Sequence, residues 1–208
     1  MKLLLKNGAD VNADGTEYYG NALNAALCKG HEAIVKLLLE NGADVNADGG
    51  EYRGNPLHVA SLKGHKAIVK LLLENRAEVN AEGGRYGNAL QAASYDGNEE
   101  IVKLLLESGA EVNAEGGELG NALQAASFNG NEAIVKLLLE KGAKVNAEGG
   151  NFWNNALQAA SFKGKKAIVE LLLKNGAEVN AEGGKHGKAL QAAVESYEDN
   201  EEIVKLLL

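Results

Sequence analysis

Carboxylates at regular spacing are the first candidates for chemistry in this chain. Asp14, Asp48, Glu82, Glu115, Glu148 and Glu182 recur every 33 or 34 residues. If stacked helical units carry them, neighbours stand roughly 10 Å apart. That is wider than the ~5–5.5 Å of a retaining glycosidase pair and just beyond the inverting range. A regular column also gives every member the same surroundings, whereas an acid–base pair needs unequal ones. The column therefore reads as a solvated edge. His31 and His65 precede a helical pattern at a place where Asn98, Asn131 and Lys165 stand elsewhere, so the position is read as a helix start. His58 has no Cys or carboxylate at ligand spacing. Cys28 has only His31 near it in sequence, and a nucleophile pair there would need a cleft. Glycine pairs at 49–50, 83–84, 116–117, 149–150 and 183–184 lack the Lys-Ser/Thr or the strand–helix context of a phosphate-cradling loop. They read as tips of two-stranded turns, where positive φ is wanted. No catalytic residue, metal ligand or cofactor site is assigned, and the chain is read as non-enzymatic.

The aromatic residues are more informative. One series lies in the turn segments: Tyr18, Tyr19, Tyr52, Tyr86, Phe152 and Trp153, accompanied by Arg53, Arg85, Leu119 and His186. A second sits at the end of a short helical pattern: Cys28-Lys29, Leu62-Lys63, Tyr95-Asp96, Phe128-Asn129 and Phe162-Lys163, with Tyr197 near an insertion. Both vary in type while the frame around them stays fixed. Tyr, Trp and Arg are the types enriched at interface hot spots. The turn-tip series is read as partner-binding, with Tyr52, Tyr86, Phe152 and Trp153 placed on one face by a shared register before an Asn. The helix-end series either joins that surface or covers the core between units.

Those residues need a frame, and the period supplies it. Val11, Val45, Val79, Val112, Val145 and Val179 are spaced by 34, 34, 33, 33 and 34 residues, the mark of a stacked array. Each unit holds a short helix capped by Asn21, Asn55, Asn88, Asn121 or Asn155, with Lys188 a weaker cap in the last. The second helix, as in Ile101-Val102-Lys103-Leu104-Leu105-Leu106, is apolar over an arc wide enough to need neighbours on both sides. It ends at Gly8, Gly42, Gly109, Gly142 and Gly176, where an αL residue is expected. Arg76 takes that place once, and the same backbone is expected there under strain. Asn154 stands where Gly54, Gly87 and Gly120 stand in other units, a mild change if it adopts αL. The last unit is longer, with 12 positions from Gln191 to Ile203 against 10 from Gln124 to Ile134.

Gly54-Asn55-Pro56-Leu57-His58-Val59-Ala60-Ser61, then Gly64-His65, Ile68-Val69, Leu71-Leu72-Leu73 and Val79-Asn80-Ala81, closely resemble the ankyrin repeat. The resemblance covers essentially all 208 residues. Most units depart from the commonest pattern, with Asn for its Thr, Ala for its Pro and Gln for its His. The form Gly-Asn-Ala-Leu-Gln-Ala-Ala is similar to ankyrin arrays in the sensor regions of fungal NOD-like receptors. The resemblance implies an all-α solenoid of helix-turn-helix units joined by short β-turn hairpins. It also implies a protein-interaction module, with turn tips and first helices lining a concave face. The expected division is one domain over 1–208, with a partial repeat at 1–13 and repeats at about 14–47, 48–81, 82–114, 115–147, 148–181 and 182–208.

Composition bounds the partners. A net charge of −8, from 29 acidic and 21 basic residues, disfavours duplex nucleic acid and anionic membranes. No run of 18 apolar residues exists, and Lys6-Asn7 cuts short the apolar start, so neither a spanning helix nor a signal peptide is expected. One cysteine leaves no internal disulfide and fits a reducing, cytoplasmic compartment. The expected partner is a protein or peptide. Leu3-Leu4-Leu5 and Leu206-Leu207-Leu208 lack an obvious polar cap, which makes head-to-tail self-association through the ends the alternative. Six repeats at the helix-packing distance span roughly 50–60 Å.

Overall fold

A computed structural model describes residues 7–15, 20–49, 54–196 and 200–208. Tyr18, Tyr19, Tyr52, Arg53, Tyr197 and Leu3 to Leu5 lie outside these residues. Six helix pairs follow one another: α1 (Ala22–Cys28) and α2 (Glu32–Glu40), α3 (Pro56–Leu62) and α4 (Lys66–Glu74), α5 (Ala89–Asp96) and α6 (Glu99–Glu107), α7 (Ala122–Asn129) and α8 (Glu132–Glu140), α9 (Ala156–Phe162) and α10 (Lys166–Lys174), α11 (Ala189–Glu195) and α12 (Glu201–Leu207).

The first helix of each pair starts where the Asn stands. The side chains of Asn21, Asn55, Asn88, Asn121 and Asn155 each accept the backbone N–H three residues on. In α5 and α7 the residue at that third position, Gln91 or Gln124, returns a bond to the Asn backbone N–H and closes a capping box. Lys188 has no side-chain oxygen to offer, and there Gln191 alone holds the start by accepting its N–H at 2.8 Å. These helices are rich in Ala and Ser, so they approach one another closely. First helices pack on first helices far more extensively than second helices do on second helices. The stack therefore curves with the first helices inside.

Second helices bury Ile, Val and the middle Leu, as with Ile101, Val102 and Leu105, and leave the flanking Leu104 and Leu106 half-buried against neighbours. The wide apolar arc is thus used on both sides. Gly42, Gly109, Gly142 and Gly176 follow these helices at positive φ, between 85° and 93°, and Gly8 has φ 83°, next to residues outside the described ones. Arg76 follows at φ 67°, the single non-glycine residue of positive φ among the described residues. Its helix end keeps the paired bonds of the others: Arg76 N–H to Leu73 O and Ala77 N–H to Leu72 O, both 3.0 Å.

The turn hairpins form as tight loops with no strand among the described residues: Gly116 pairs with Gly120 in an isolated bridge, and Gly149 N–H donates to Asn154 O at 3.0 Å. The loops also tie across repeats, with Glu118 N–H donating to Arg85 O, Asn151 N–H to Glu118 O and Lys185 N–H to Phe152 O at 2.9–3.1 Å. The residues read as helix starts, His31, His65, Asn98, Asn131 and Lys165, do stand at the N-caps of the second helices, with no side-chain cap bond. They reach back one repeat: Asn131 Nδ2 donates to Ser94 O at 2.8 Å, and the His65 ring lies where a Cβ on Gly30 would be. Asn154 does not take αL. It sits in a loop one residue longer than those of Gly87 and Gly120, yet Gly54 closes a loop of that same length at φ 67°, so loop length does not explain the difference. The Asn154 N–H is held by Gln158 Oε1 at 2.9 Å and its Nδ2 by Glu182 O at 3.1 Å.

Candidate functional site

The alanine-rich inner helices leave a shallow floor, and aromatic rings pave it. Ala125 and Ala159 are fully buried beneath Leu119, Trp153, Tyr86, Tyr95, Phe128 and Phe162. The two sequence series are one structure. Each loop residue leans on the helix-end residue of its own repeat, and each such pair leans on the next. Tyr86 stacks on Tyr95 at 4.4 Å between ring centroids, Tyr95 faces Phe128 at 6.3 Å, and Phe128 meets Trp153 at 5.7 Å. Trp153 packs on Phe162 at 4.5 Å and on the His186 ring at 4.7 Å, nearly parallel. Offset and tilted rings at these distances add to the area they bury.

Loop length decides which aromatic joins the ladder. Tyr86, Leu119, Trp153 and His186 all stand two residues before the first-helix N-cap, whereas Phe152, like Tyr52, stands three before it. Phe152 and Trp153 therefore part. Trp153 is 4% exposed and Phe152 38%. Both still border one groove with Tyr86, Trp153 buried in its floor and Phe152 more open, while Tyr52 lies outside the described residues.

Above the ladder lies a groove of about 380 Å³, lined by Arg85, Tyr86, Tyr95, Glu118, Leu119, Phe128, Phe152, Trp153, Phe162, Lys185 and His186. Arg85 Nε meets Glu118 Oε2 at 2.6 Å and its guanidinium lies 5.9 Å from the Tyr86 ring centre. That carboxylate holds the Arg85 charge more firmly than usual. Burial first, and then the Tyr95 hydroxyl, push the Tyr86 phenol above its ordinary range. Lys163 Nζ stands 4.7 Å over the Phe128 ring, and His186 Nδ1 is 2.5 Å from Glu195 Oε2. Asp96 and Asn129 are exposed but turn to local bonds, Asp96 accepting from Asn98 Nδ2 and Asn129 donating to Tyr95 O, both at 2.6 Å.

Sequence reasoning passed over Glu118, Lys185 and Glu195, because a single charge in a variable loop carries no pattern. It also passed over Gln91, Gln124 and Gln158, whose fixed place three residues after each capping Asn was a usable signal. Their Nε2 atoms hold the next repeat's loop: Gln124 to Gly149 O at 2.9 Å and Asn154 O at 3.0 Å, Gln158 to Gly187 O at 2.7 Å. The other candidates for chemistry stay apart. All six column carboxylates are exposed. Among the described residues, no group of three or more His, Cys, Asp or Glu could hold a metal ion. Cys28 is half-buried at the end of α1 and in no disulfide. No helix among the described residues is long and apolar enough to cross a membrane.

Comparison with known proteins agrees with this architecture. A search of curated proteins finds no match. Among solved structures, the crystal structure of the human ASB11 ankyrin repeat domain superposes with a TM-score of 0.83 at 30% identity, over 100% of this chain and 91% of that one. The family model for ankyrin repeats in three copies matches residues 1–83, 46–116, 83–149 and 124–208. The chain belongs to the ankyrin-repeat family.

Proposed function

We propose that this chain is a non-enzymatic recognition module that grips a protein partner along the inner face of repeats three to six, where the aromatic ladder lies. Ankyrin repeats are in general protein–protein interaction modules, and the groove above the ladder supplies the partner surface here. The observation that carries the reading is the clustering of exposed and half-buried apolar and charged groups on that groove. Phe152, Tyr86, Tyr95, Phe128 and Lys185 present their edges there, while Trp153 is the buried centre that sets their positions. A few large anchors ringed by polar groups make up an interface core. A site in the cytoplasm fits the single cysteine.

The test compares capture of partners by the parent chain with two variants. One carries Tyr86→Ala, Phe152→Ala and Lys185→Glu; the other carries Lys36→Glu and Lys70→Glu on the outer helices. A partner lost only with the groove variant supports the reading. A partner lost only with the outer variant overturns it.

A second reading has its own observation. Leu208 is 88% exposed, Leu206 39% and Val194 69% at the last repeat. That apolar surface fits association of one copy with another, end to end.

A further inference from the structure

We infer that the groove takes an extended acidic peptide segment, its carboxylates meeting Lys185 and Lys163 and its apolar side chains lying across Phe152 and Phe128. The inference rests on the recognition reading above and names the chemistry of the ligand.

Charge at the groove points one way. The single carboxylate in the lining, Glu118, is already bound to Arg85 at 2.6 Å. Outside the lining, Glu195 lies on His186, and Asp96 accepts from the neutral Asn98 amide and keeps its charge. Among the described residues, Lys185 is exposed in the lining with no carboxylate on it, and Lys163 has only the Phe128 ring beneath its ammonium. The lining itself sets two cations, Arg85 and Lys185, against one carboxylate, Glu118, a positive excess in a chain of net charge −8. A like-charged ligand is repelled and an acidic one is steered in.

The rings point the same way. An aromatic cage for a cation needs open ring faces. Here the faces of Tyr86 and Tyr95 are turned on each other, those of Trp153 and His186 likewise, and Arg85 and Lys163 already stand over Tyr86 and Phe128. Phe152 is the lining ring left most open, at 38% exposed, and one ring does not make a cage for an ammonium.

A third observation concerns the floor. Trp153 Nε1–H is buried in the groove lining with no acceptor among the described residues. A buried donor left without a partner is costly. A carbonyl oxygen of an extended peptide entering beside Phe152 supplies one. The groove thus offers a main-chain anchor at Trp153 and side-chain specificity at two lysines.

The experiment is selection of a displayed library of short random peptides against the full chain, followed by titration of synthetic winners. Expected winners carry Asp or Glu beside apolar residues. Their affinity should fall about tenfold when the acids become amides, about tenfold with Lys163→Glu plus Lys185→Glu, and further as salt rises. Trp153→Phe should lower the urea midpoint through the lost ring volume and, in buffer where the variant is still fully folded, weaken peptide binding several-fold. A purely structural Trp153 would instead lose stability with no selective loss of peptide. Winners without acidic enrichment, or with equal affinity for the lysine variant, overturn the acidic inference and leave groove recognition standing if Tyr86→Ala with Phe152→Ala still abolishes them. Winners indifferent to every groove change, or no winners at all, overturn both.

Discussion

Arg76 sits alone in a backbone conformation that five glycines occupy elsewhere. A Cβ at Gly42, Gly109, Gly142 or Gly176 would meet nothing within 4 Å, so the cost at this position is conformational and not steric crowding. Left-handed backbone costs an L-residue about 1–2 kcal/mol, part of which glycine returns through its looser unfolded chain. Arg76→Gly is expected to raise stability by about 0.5–1.5 kcal/mol, read from urea midpoints. An unchanged midpoint would show that the Arg side chain compensates in the free protein. Tyr86 gives a second residue-scale expectation. Its phenol is raised by burial and by Tyr95, so the neutral form is favoured in the folded state. Below the ordinary tyrosine value of about 10 the contribution is fully present. As pH climbs past that value the unfolded chain ionises first, and stability falls until the raised folded value is passed. Urea midpoints measured from neutral to strongly alkaline pH should therefore drop more steeply for the parent than for Tyr86→Phe. Equal slopes would remove Tyr86 from the account.

Elements were legible wherever one residue type did one local job. The capping Asn residues, the terminal glycines and the three-leucine helices each announce a boundary or a face. That no strand flanks the described hairpins was not legible, because paired glycines give the same signal whether or not strands flank them. Nor was the parting of Phe152 from Trp153, since a one-residue difference in loop length changes direction without changing composition. The ladder itself was half visible: the aromatic types stood out, but their interleaving depends on how closely alanine-rich helices approach. The glutamine at the third helical position shows what such a helix start can do. Its Oε1 holds its own N-cap and its Nε2 holds the next loop, and Gly87 and Gly120 leave it room, since a Cβ there would stand 2.0 Å from that oxygen. In α1 the residue is Asn24, one methylene shorter, and both amide atoms are buried with no side-chain partner. Asn24→Gln restores the reach and should stabilise the chain by about 1 kcal/mol in urea denaturation. A loss of stability would mean that the first junction has no room for the longer amide.

At the scale of the molecule, repeats touch only their neighbours, and the end surfaces are the ones such an array leaves open. With Leu206 and Leu208 exposed, sedimentation velocity at rising concentration should show self-association, and Leu208→Lys should reduce it. A concentration-independent monomer would remove the end-to-end reading without touching the groove. The junctions between repeats are also unequal. From the third repeat onward they carry an asparagine bridge, a glutamine bridge and a ring contact together: Asn113 to Gly142, Gln91 to Gly120, Tyr95 to Phe128. The junction between the first and second pairs keeps an asparagine contact, Asn46 Oδ1 accepting from Glu78 N–H at 2.9 Å, and its Asn24 makes no amide bridge among the described residues. A linear chain of unequal couplings comes apart from its weakest link, so the array unzips with a direction. Amide hydrogens of α1 and α2 should exchange with solvent well ahead of those in α5 to α8, and a bound peptide on the ladder would slow the second group far more than the first.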